Sequence, residues 1–530
     1  MPTYQFSERL QIDLGHGGSY THAYADMTGR LKSLTVSLGF NDPYAEVAPP
    51  SKMEFKLLNA DRYLTPDNSS SPLYGLLTRG TLVKYTASWN GTAYVTWIGK
   101  ITKVVPNVHP HTSPSNNFQV TVTAEDPMLQ LLDAQIFPRL QTNVLVHNAL
   151  ASIMDEIEGQ IVYPYESTYA VIDVSVIDTA RIVSNDLFTY SVSTTEIEYV
   201  GDNSADAKGT VGAQSLIRDI MQAELGGRFF WNGQKFEFQD RYYSAELALS
   251  AATLTLYSSD IVEWDYRYGD DIVNDVTVNF QPRQVGVAGT VVYSSERAIA
   301  ISAGATRTVT CHFRDPDTPN ARIGATDVLP VVAGTDYVAN FASDGSSTNV
   351  TAYVNVFVDA GGQSATIAIT NTLTATVYIT TLQLRATPLY TYERESVSVA
   401  DAQSINDHGR YPKSYTLKLI TDEATAEGFA NIQAQRFRNH ASRLNSVTVI
   451  ANSQKLVTTD VSIGDVITIT ENTATTHNEQ YAVVGIRHQI DGRSREHKIT
   501  YTLSPLNRNQ YWVLGVSGAS ELDSTAILAL

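Results

Sequence analysis

The sequence contains a single cysteine, Cys311, among 530 residues. One cysteine excludes an internal disulfide framework and any cysteine-rich metal site. The chain also lacks any apolar run that approaches the ~20 residues of a membrane-spanning helix, so no transmembrane segment is expected. These absences indicate a protein that is made in a reducing cytoplasm, whatever its final location.

Basic residues are few: 37 Lys and Arg stand against 55 Asp and Glu, which gives a net charge of −18. A protein that grips nucleic acid neutralises phosphates with Lys and Arg, so stable binding to DNA is not expected. An acidic surface can instead repel DNA and let it slide past. The alternative is that the charge only keeps the protein soluble.

The sequence shows no complete catalytic or cofactor motif. Tyr268–Asp271 matches the letters of a polymerase metal motif, but it has no basic channel and is predicted to be a polar hairpin turn. Residues 16–18 (His-Gly-Gly) are not followed by a nucleophile elbow. Asp407–His408 and the pair His109 and His111 have no complete ligand or triad spacing and are predicted to lie on the surface. We therefore assign no catalytic, cofactor-binding or metal-binding residue and predict a protein that is not an enzyme.

β signals dominate the rest of the chain. Period-2 alternation predicts strands at 119–123, 276–280, 415–419 and 447–449. Amphipathic spacing predicts three helices, at 143–157, 214–225 and 423–442. Their predicted ends are Thr142 and Asp422 as N-caps, Gly159 closing the first helix, and Gly226-Gly227 stopping the second.

A chain of this length predicts three to five domains. We expect a mainly β, multidomain fold with minor α/β structure, two similar β-barrels, an α/β middle domain and an inserted β-sandwich. The predicted parts are a first barrel at 1–130, an α/β domain at 131–283, the sandwich at 284–390, a second barrel with a helix at 391–507, and a tail at 508–530.

The two barrels are predicted from a repeated pattern. The first copy has a turn at Gly80, a strand interrupted by Gly99, and an alternating strand that stops at Asp126-Pro127. The second copy has a turn at Gly464, a strand interrupted by Gly485, and an alternating strand that stops at Ser504-Pro505. Glycine supplies the positive φ of a turn or bulge, and proline ends strand pairing. Chance similarity between two ordinary antiparallel segments is the alternative.

Several segments occur in an order that resembles one family of proteins. They are Leu57–Pro66 with Ser71–Tyr74 and Arg79-Gly80, then Glu224–Phe230 with Phe236–Arg241, Asn274–Val278, Ile369–Asn371 with Tyr378–Arg385, and Gly464–Val466 with Val484–His488 and Tyr501–Pro505. Together they resemble the tail hub, or minor tail, proteins of long-tailed bacteriophages and of tail-derived particles. The matches are scattered over nearly the whole chain, and no lysozyme or peptidase module of the kind that some hubs carry is evident.

The resemblance implies a structural protein at the tail tip of a virion. In that family a homotrimer with two barrels per chain forms a pseudo-hexameric ring, which joins a six-fold tail tube to a three-fold tip and conducts DNA during ejection. Implied partners are a distal tail or tail tube protein ring, the tape measure protein, and tail fibre or tip proteins. Acidic residues on the lumen would keep DNA from sticking.

Two other functions remain open. A carbohydrate-binding adhesin is suggested by the sandwich and its aromatic residues Tyr337, Tyr353 and Phe357, because sugar stacking requires exposed rings. An enzyme that cleaves glycans would need two converging carboxylates, and the sequence shows no such pair.

Overall fold

The computed structural model shows a mainly β chain with few helices, which confirms the predicted fold class. It describes the following residues: 6–16, 20–89, 92–107, 118–157, 160–161, 181–183, 188–191, 193, 195–201, 210–224, 226–233, 235–241, 243, 252, 254–268, 272–438, 442–451, 461–473, 476–491, 496–506, 511–512 and 527–528.

Strands far outnumber helices along the described chain. In chain order, the strands are β1 Phe6–Ile12, β2 Leu31–Gly39, β3 Lys52–Leu58, β4 Leu82–Trp89, β5 Thr92–Asn107, β6 Gln119–Glu125, β7 Gln135–Ile136, β8 Gln141–Leu145, β9 Arg181–Val183, β10 Phe188–Ser191, β11 Glu196–Val200, β12 Val211–Gly212, β13 Arg228–Trp231, β14 Phe236–Gln239, β15 Leu254–Tyr257, β16 Ile261–Tyr268, β17 Asp275–Phe280, β18 Arg283–Val285, β19 Thr290–Ser294, β20 Ile299–Ile301, β21 Thr306–His312, β22 Gly324–Thr326, β23 Tyr337–Asn340, β24 Val354–Ala360, β25 Ser364–Asn371, β26 Val377–Thr391, β27 Glu395–Ala400, β28 Pro412–Leu417, β29 Ser442–Ile450, β30 Val466–Glu471, β31 His477–Asp491, β32 Glu496–Pro505, β33 Tyr511–Trp512 and β34 Ile527–Leu528. The α-helices are α1 Met128–Asp133, α2 Val146–Ile157, α3 Ala213–Ala223, α4 Ala402–His408 and α5 Glu423–Phe437.

Six antiparallel strands form the first β unit, in the order β1-β4-β5-β6-β3-β2. Inward side chains alternate along each strand and bury Phe55, Tyr85 and Trp97 completely. The chain just before β2 then returns to β1, where the amide of Ile12 donates to the carbonyl of Ala25 at 2.9 Å and that of Met27 to the carbonyl of Leu10 at 2.8 Å. These bonds link the two ends of the unit and bring it towards a barrel.

The second β unit has the same strand order, written β15-β30-β31-β32-β29-β16. When the six strands of each unit are numbered in chain order, they occupy the same positions in the sheet. The direction of the first strand differs, because β1 is antiparallel to β4 whereas β15 is parallel to β30. Tyr481 and Tyr501 are completely buried in its core. The second unit therefore draws strands from 254–268 as well as from 442–505, and the chain between β16 and β29 is an insertion in it.

The two units also share a set of main-chain irregularities, although the shift between Ala87 and Ser88 in the first unit and that between Asp265 and Tyr266 in the second have no counterpart. The amide of Gly80 donates to the carbonyl of Ile101, whose own amide donates to the carbonyl of Thr81; Gly464, Val483 and Asp465 repeat this triangle. The register of β5 against β6 shifts just after Ile101, and that of β31 against β32 shifts just after Val483. A second pair of bulges falls one residue into β2 and one residue into β16. Chance similarity does not produce matched bulges, so the predicted duplication is real.

One detail of the predicted repeat is wrong. Gly80 and Gly464 are equivalent, with φ of +91° and +96°, but Gly99 is not equivalent to Gly485, because the shared hydrogen bonds align Ile101 with Val483. The second glycine of each copy is required by a close main-chain contact of its own. A Cβ on Gly99 would lie 2.6 Å from the carbonyl oxygen of Glu125, and one on Gly485 would lie 2.1 Å from that of Phe40.

A helical unit lies between the two β units in sequence. Helices α1, α2 and α3 and the short strands β7 to β14 share one core around Leu150, Ile217 and Phe229. An ion pair inside the unit joins Glu224 to Arg241, with side chains 1% and 5% exposed. The unit is tied to the first β unit because the amide of Phe229 donates to the carbonyl of Glu46 at 2.8 Å.

The insertion between β16 and β29 contains two parts, a small sheet with a helix and a β-sandwich. Strands β27, β17 and β28 form a small sheet, and α5 packs on it through Phe429 and Ala430. Strands β18 to β26 form the predicted sandwich, in which β26 is the long central strand of one sheet and β21-β25-β24 form the other. Both sheets share one apolar core.

The three predicted helices are confirmed as α2, α3 and α5. The ends of α2 and α3 differ from the prediction by at most three residues, whereas α5 ends at Phe437 and the predicted end, Ser442, is the first residue of β29. Asp422 caps α5 as predicted, since its carboxylate accepts from the amide of Thr425 at 2.8 Å. Thr142 does not cap α2: it lies within β8, paired with Tyr199, and the helix begins only at Val146. Gly159 lies outside the described residues. Within the described part of the chain, no helix is both long and apolar enough to cross a membrane.

The two turn glycines offer a matched test of the duplication. Substitution Gly80→Ala should cost about 1–2 kcal/mol of unfolding free energy, because a Cβ is strained at φ +91° although nothing lies within 4 Å of it. Gly464→Ala should cost more, because its Cβ would also lie 2.5 Å from the side chain of Gln239. Denaturant unfolding measures both. Gly29→Ala, which has open space and no positive φ, serves as the control and should change stability little.

Candidate functional surface

Among the described residues, the structure brings no catalytic group together around the motifs that the sequence offers. Asp407 and His408 lie at the end of α4, where the Asp407 carboxylate accepts from Gln403 of the same helix at 2.8 Å. His16 lies in an exposed turn with φ 54°. The remaining motif residues, Gly17-Gly18, His109, His111 and Gly269–Asp271, lie outside the described residues. In the part of the chain that is described, no group of three or more His, Cys, Asp or Glu side chains is arranged to hold a metal ion.

A continuous hydrogen-bonded seam joins the two β units. Strand β2 pairs with β3 of its own unit on one edge and with β31 of the second unit on the other, from Ser33 opposite Asp491 to Gly39 opposite Gly485. The first half of β31 pairs with β30, and the second half takes β2 instead. The change of partner falls at Val484, the bulged residue. Twelve strands thus belong to one sheet.

The seam creates a polar face that spans both units. Along β6, β3, β2, β32 and the half of β31 next to β2, one set of alternating side chains is buried and the other is mostly exposed or half-buried. The outward face continues over β5, β29 and β16, whose described side chains alternate less regularly. Near the seam the outward set includes Ser37, Arg487, Thr500 and Thr502, which line an open hollow of about 510 Å³. Threonine and serine predominate, and Thr448 and Thr500 are hydrogen-bonded to each other across two strands at 2.9 Å.

Charges of both signs are interspersed on the polar face. Its acidic residues are Glu54, Glu125, Glu263, Asp265, Asp491 and Glu496, and its basic residues are Lys52, Lys56, Lys100, Lys103, Arg267, Arg487 and Lys498. Some neutralise each other locally, as Lys498 and Glu496 do at 3.2 Å and Arg267 and Asp265 at 3.3 Å. The acidic excess of the whole chain is therefore not concentrated on this face. With seven basic and six acidic side chains the face is close to neutral, so it does not present the strong positive charge that holds a phosphate backbone.

Two buried histidines lie directly beneath the seam. His488 of β31 and His497 of β32 are 3% and 0% exposed, and Nδ1 of His488 lies 3.0 Å from Nε2 of His497. Burial lowers the pKa of His497 to about 4, and burial together with the neighbouring ring lowers the pKa of His488 well below its usual range. Both rings are therefore neutral at pH 7. Sequence reasoning missed this pair because the two residues are nine positions apart on different strands.

Solved structures similar to this chain include tail proteins, the class that the sequence resembles. The 43 kDa tail protein of prophage MuSo2 from Shewanella oneidensis is 10% identical, with a TM-score of 0.44, over 95% of this chain and 99% of its own. The tail protein from Neisseria meningitidis MC58 is 9% identical, with a TM-score of 0.46, over 95% and 98%. Prophage tail protein gp18 from Listeria monocytogenes EGD-e is 7% identical, with a TM-score of 0.36, over 94% of each chain. No family model matches the sequence, and no curated protein matches it.

The histidine pair predicts a specific acid sensitivity. The native state holds both rings neutral, whereas the unfolded chain binds protons below its ordinary histidine pKa of about 6.5. Stability should accordingly be full above that pH and fall as pH drops towards 4, by up to about 2 kcal/mol per histidine between pH 7 and pH 5. Denaturant unfolding at each pH measures the slope.

The double variant His488→Leu with His497→Leu should flatten this slope, because leucine binds no proton in either the native or the unfolded state. His16→Asn, which changes an exposed histidine, should leave the slope as it is. An unchanged slope in the double variant would show that other groups carry the acid sensitivity.

Proposed function

We propose that this chain is a structural tail hub protein, which forms a homotrimeric, pseudo-hexameric ring at the distal end of a phage tail or tail-derived particle. The observation that supports it is the repetition, within one chain, of a six-stranded unit with the same strand order and with two bulges at equivalent positions. Three chains with two such units each would place six similar β units around the ring. A ring of this kind can meet a six-fold tube on one side and a three-fold tip on the other.

The same proposal assigns the polar face a role. If the face lines the channel of the ring, its mixed charges and its short hydroxyl side chains present no site that holds DNA. DNA could then pass through during ejection without stable binding. The implied partners are a distal tail or tail tube protein ring, the tape measure protein, and tail fibre or tip proteins, and the implied location is the virion tail tip.

We also propose a refined division of the chain on the same basis. The first hub unit comprises 6–125, and the second combines 254–268 with 442–506. The sandwich near 284–390 and the tail from 508 keep the limits that the sequence suggests. The α/β middle region is shorter than the sequence suggests, because 254–268 passes to the second hub unit and β17 joins β27, β28 and α5 in a separate part of the insertion.

The ring is tested by the mass of the full chain in solution and by negative-stain images of the purified protein. We expect three copies of the 58.1 kDa chain in an annulus, and no retention of double-stranded DNA in a gel-shift assay at physiological salt. A protein that stays monomeric as its concentration is raised, or one that binds DNA with the strong salt dependence of phosphate contacts, would contradict the proposal.

A second candidate function is carbohydrate binding by the sandwich. Tyr353 and Phe357 are 54% and 69% exposed, as stacking on a sugar requires, whereas Tyr337 is buried in the core. Binding of the full chain to purified cell-wall polysaccharide should then fall at least tenfold in Phe357→Ala and stay the same in Tyr74→Ala, another exposed aromatic residue outside the sandwich. No binding by the unaltered chain would remove this candidate.

A further inference from the structure

Strand β16 occupies the position in the second unit that β2 occupies in the first. The bulge near the start of each strand makes Leu31 equivalent to Ile261, and the residues that follow correspond one to one. Trp264, Tyr266 and Tyr268 of β16 thus correspond to Leu34, Val36 and Leu38 of β2. Each strand directs these three side chains to one face.

The environments of the two strands differ. β2 is paired along both edges, and Leu34 and Val36 are both 0% exposed. β16 is paired with β29 along one edge, and in the described part of the chain no strand lies along its other edge. Tyr266 and Tyr268 are 40% and 67% exposed. An edge strand with exposed aromatic side chains is a template for strand addition.

The seam within the chain indicates which strand fits that edge. β2 is covered by residues 485–491 of β31, and β31 is equivalent to β5. The corresponding part of β5 begins at Lys103. Strand β4 pairs with β5 only as far as Lys100, so from Lys103 to Asn107 the edge of β5 that faces away from β6 also has no strand beside it among the described residues.

The geometry points to pairing of β16 with β5 of a second copy of this chain, as a repeat between chains of the seam between β2 and β31. We propose the same register, which places Asp265 opposite Asn107, Arg267 opposite Val105 and Tyr268 opposite Val104. Because β16 and β5 are different surfaces, the contact is heterologous, and repetition leads to a closed ring if the rotation closes. This inference rests on the proposed hub ring and names its interface.

Pro106 would make the seam between chains weaker than the internal one. Its counterpart in the internal seam is His488, which has an amide N–H, whereas proline has none to donate. Proline at a strand edge also discourages unspecific pairing. The proposed contact needs both the aromatic face of β16 and the backbone ladder. Such a requirement keeps copies of the chain from associating before the ring assembles.

Cysteine cross-linking of the full chain tests the register. In the double variant Val105→Cys with Arg267→Cys, the two thiols lie opposite each other across the proposed seam, within reach of mild oxidation or of a short bismaleimide. We expect covalent species that end at three chains. The native Cys311 is 2% exposed and should not contribute. The control Glu54→Cys with Arg267→Cys places one thiol on β3, two strands away and about 10 Å farther, and should not cross-link.

The outcomes separate the two proposals. A trimer by mass that cross-links in the control and not in the test variant would overturn the interface and leave the ring intact. Cross-linked chains of indefinite length would support the pairing and overturn the closed trimer. A monomer with no cross-link in either variant would overturn both.

A second pair of variants checks the aromatic face without cysteine. Tyr266→Asp with Tyr268→Asp should abolish trimer formation, because charges would be placed in the proposed interface, while the circular dichroism of the chain stays the same. Phe357→Asp, which changes a 69% exposed residue of the sandwich, should leave the trimer intact. A double Asp variant that folds and still forms the trimer would contradict the interface.

Discussion

The backbone ladder between β2 and β31 is the constraint on which the rest of the structure depends. Strand β2 pairs with β3 of its own unit and with β31 of the other unit. The ladder therefore fixes how the two units are oriented without relying on particular side chains. The bulge at Val484 makes this possible, since the extra residue bends β31 and increases its twist at the point where its neighbour changes. Strand β30 begins at Val466 opposite Ala482, so it cannot pair with the second half of β31, and β2 takes that edge.

The two units reach the same main-chain geometry with different side chains. In the first, Thr81 Oγ1 accepts from the amide of Thr78 at 3.2 Å; in the second, the carboxylate of Asp465 accepts from the amide of Ser462 at 2.7 Å. Both stabilise the turn that positions the glycine. A hydroxyl and a carboxylate can both accept a hydrogen bond from the equivalent amide, so the turn is preserved although the residue types differ. The weak identity between the two copies in the sequence is a consequence of this freedom.

Local elements could be predicted from the sequence, whereas the topology could be predicted only in part. Alternation and helical spacing identify β6, β17, α2 and α5 because their periodicity depends on one buried face. The bulges are invisible to such a pattern. Gly99 lies two residues before Ile101 and Gly485 two residues after Val483, so only the hydrogen bonds of the folded chain show that the two glycines are not equivalent. Strands β15 and β16 could not be assigned to the second unit, since Leu254 pairs with Ile467 and Ile261 with Val449, far along the chain. The polar face and the buried histidines depend on that pairing, so they emerge only from the fold.

If β16 pairs with β5 of a second copy as proposed, the difference between β2 and β16 follows from the stage at which each strand meets its neighbour. Leu34 and Val36 meet β31 during folding and never need to face water in the native chain, so aliphatic side chains suffice. Tyr266 and Tyr268 are exposed in the single chain. A tyrosine tolerates this state because its hydroxyl stays hydrated while its ring supplies apolar area for a later contact. Aliphatic residues at the same positions would leave a larger penalty on the unassembled chain and would invite aggregation at an open edge. On the proposed pairing, the second unit is a copy of the first whose outer strand tolerates exposure to water until it meets a second chain.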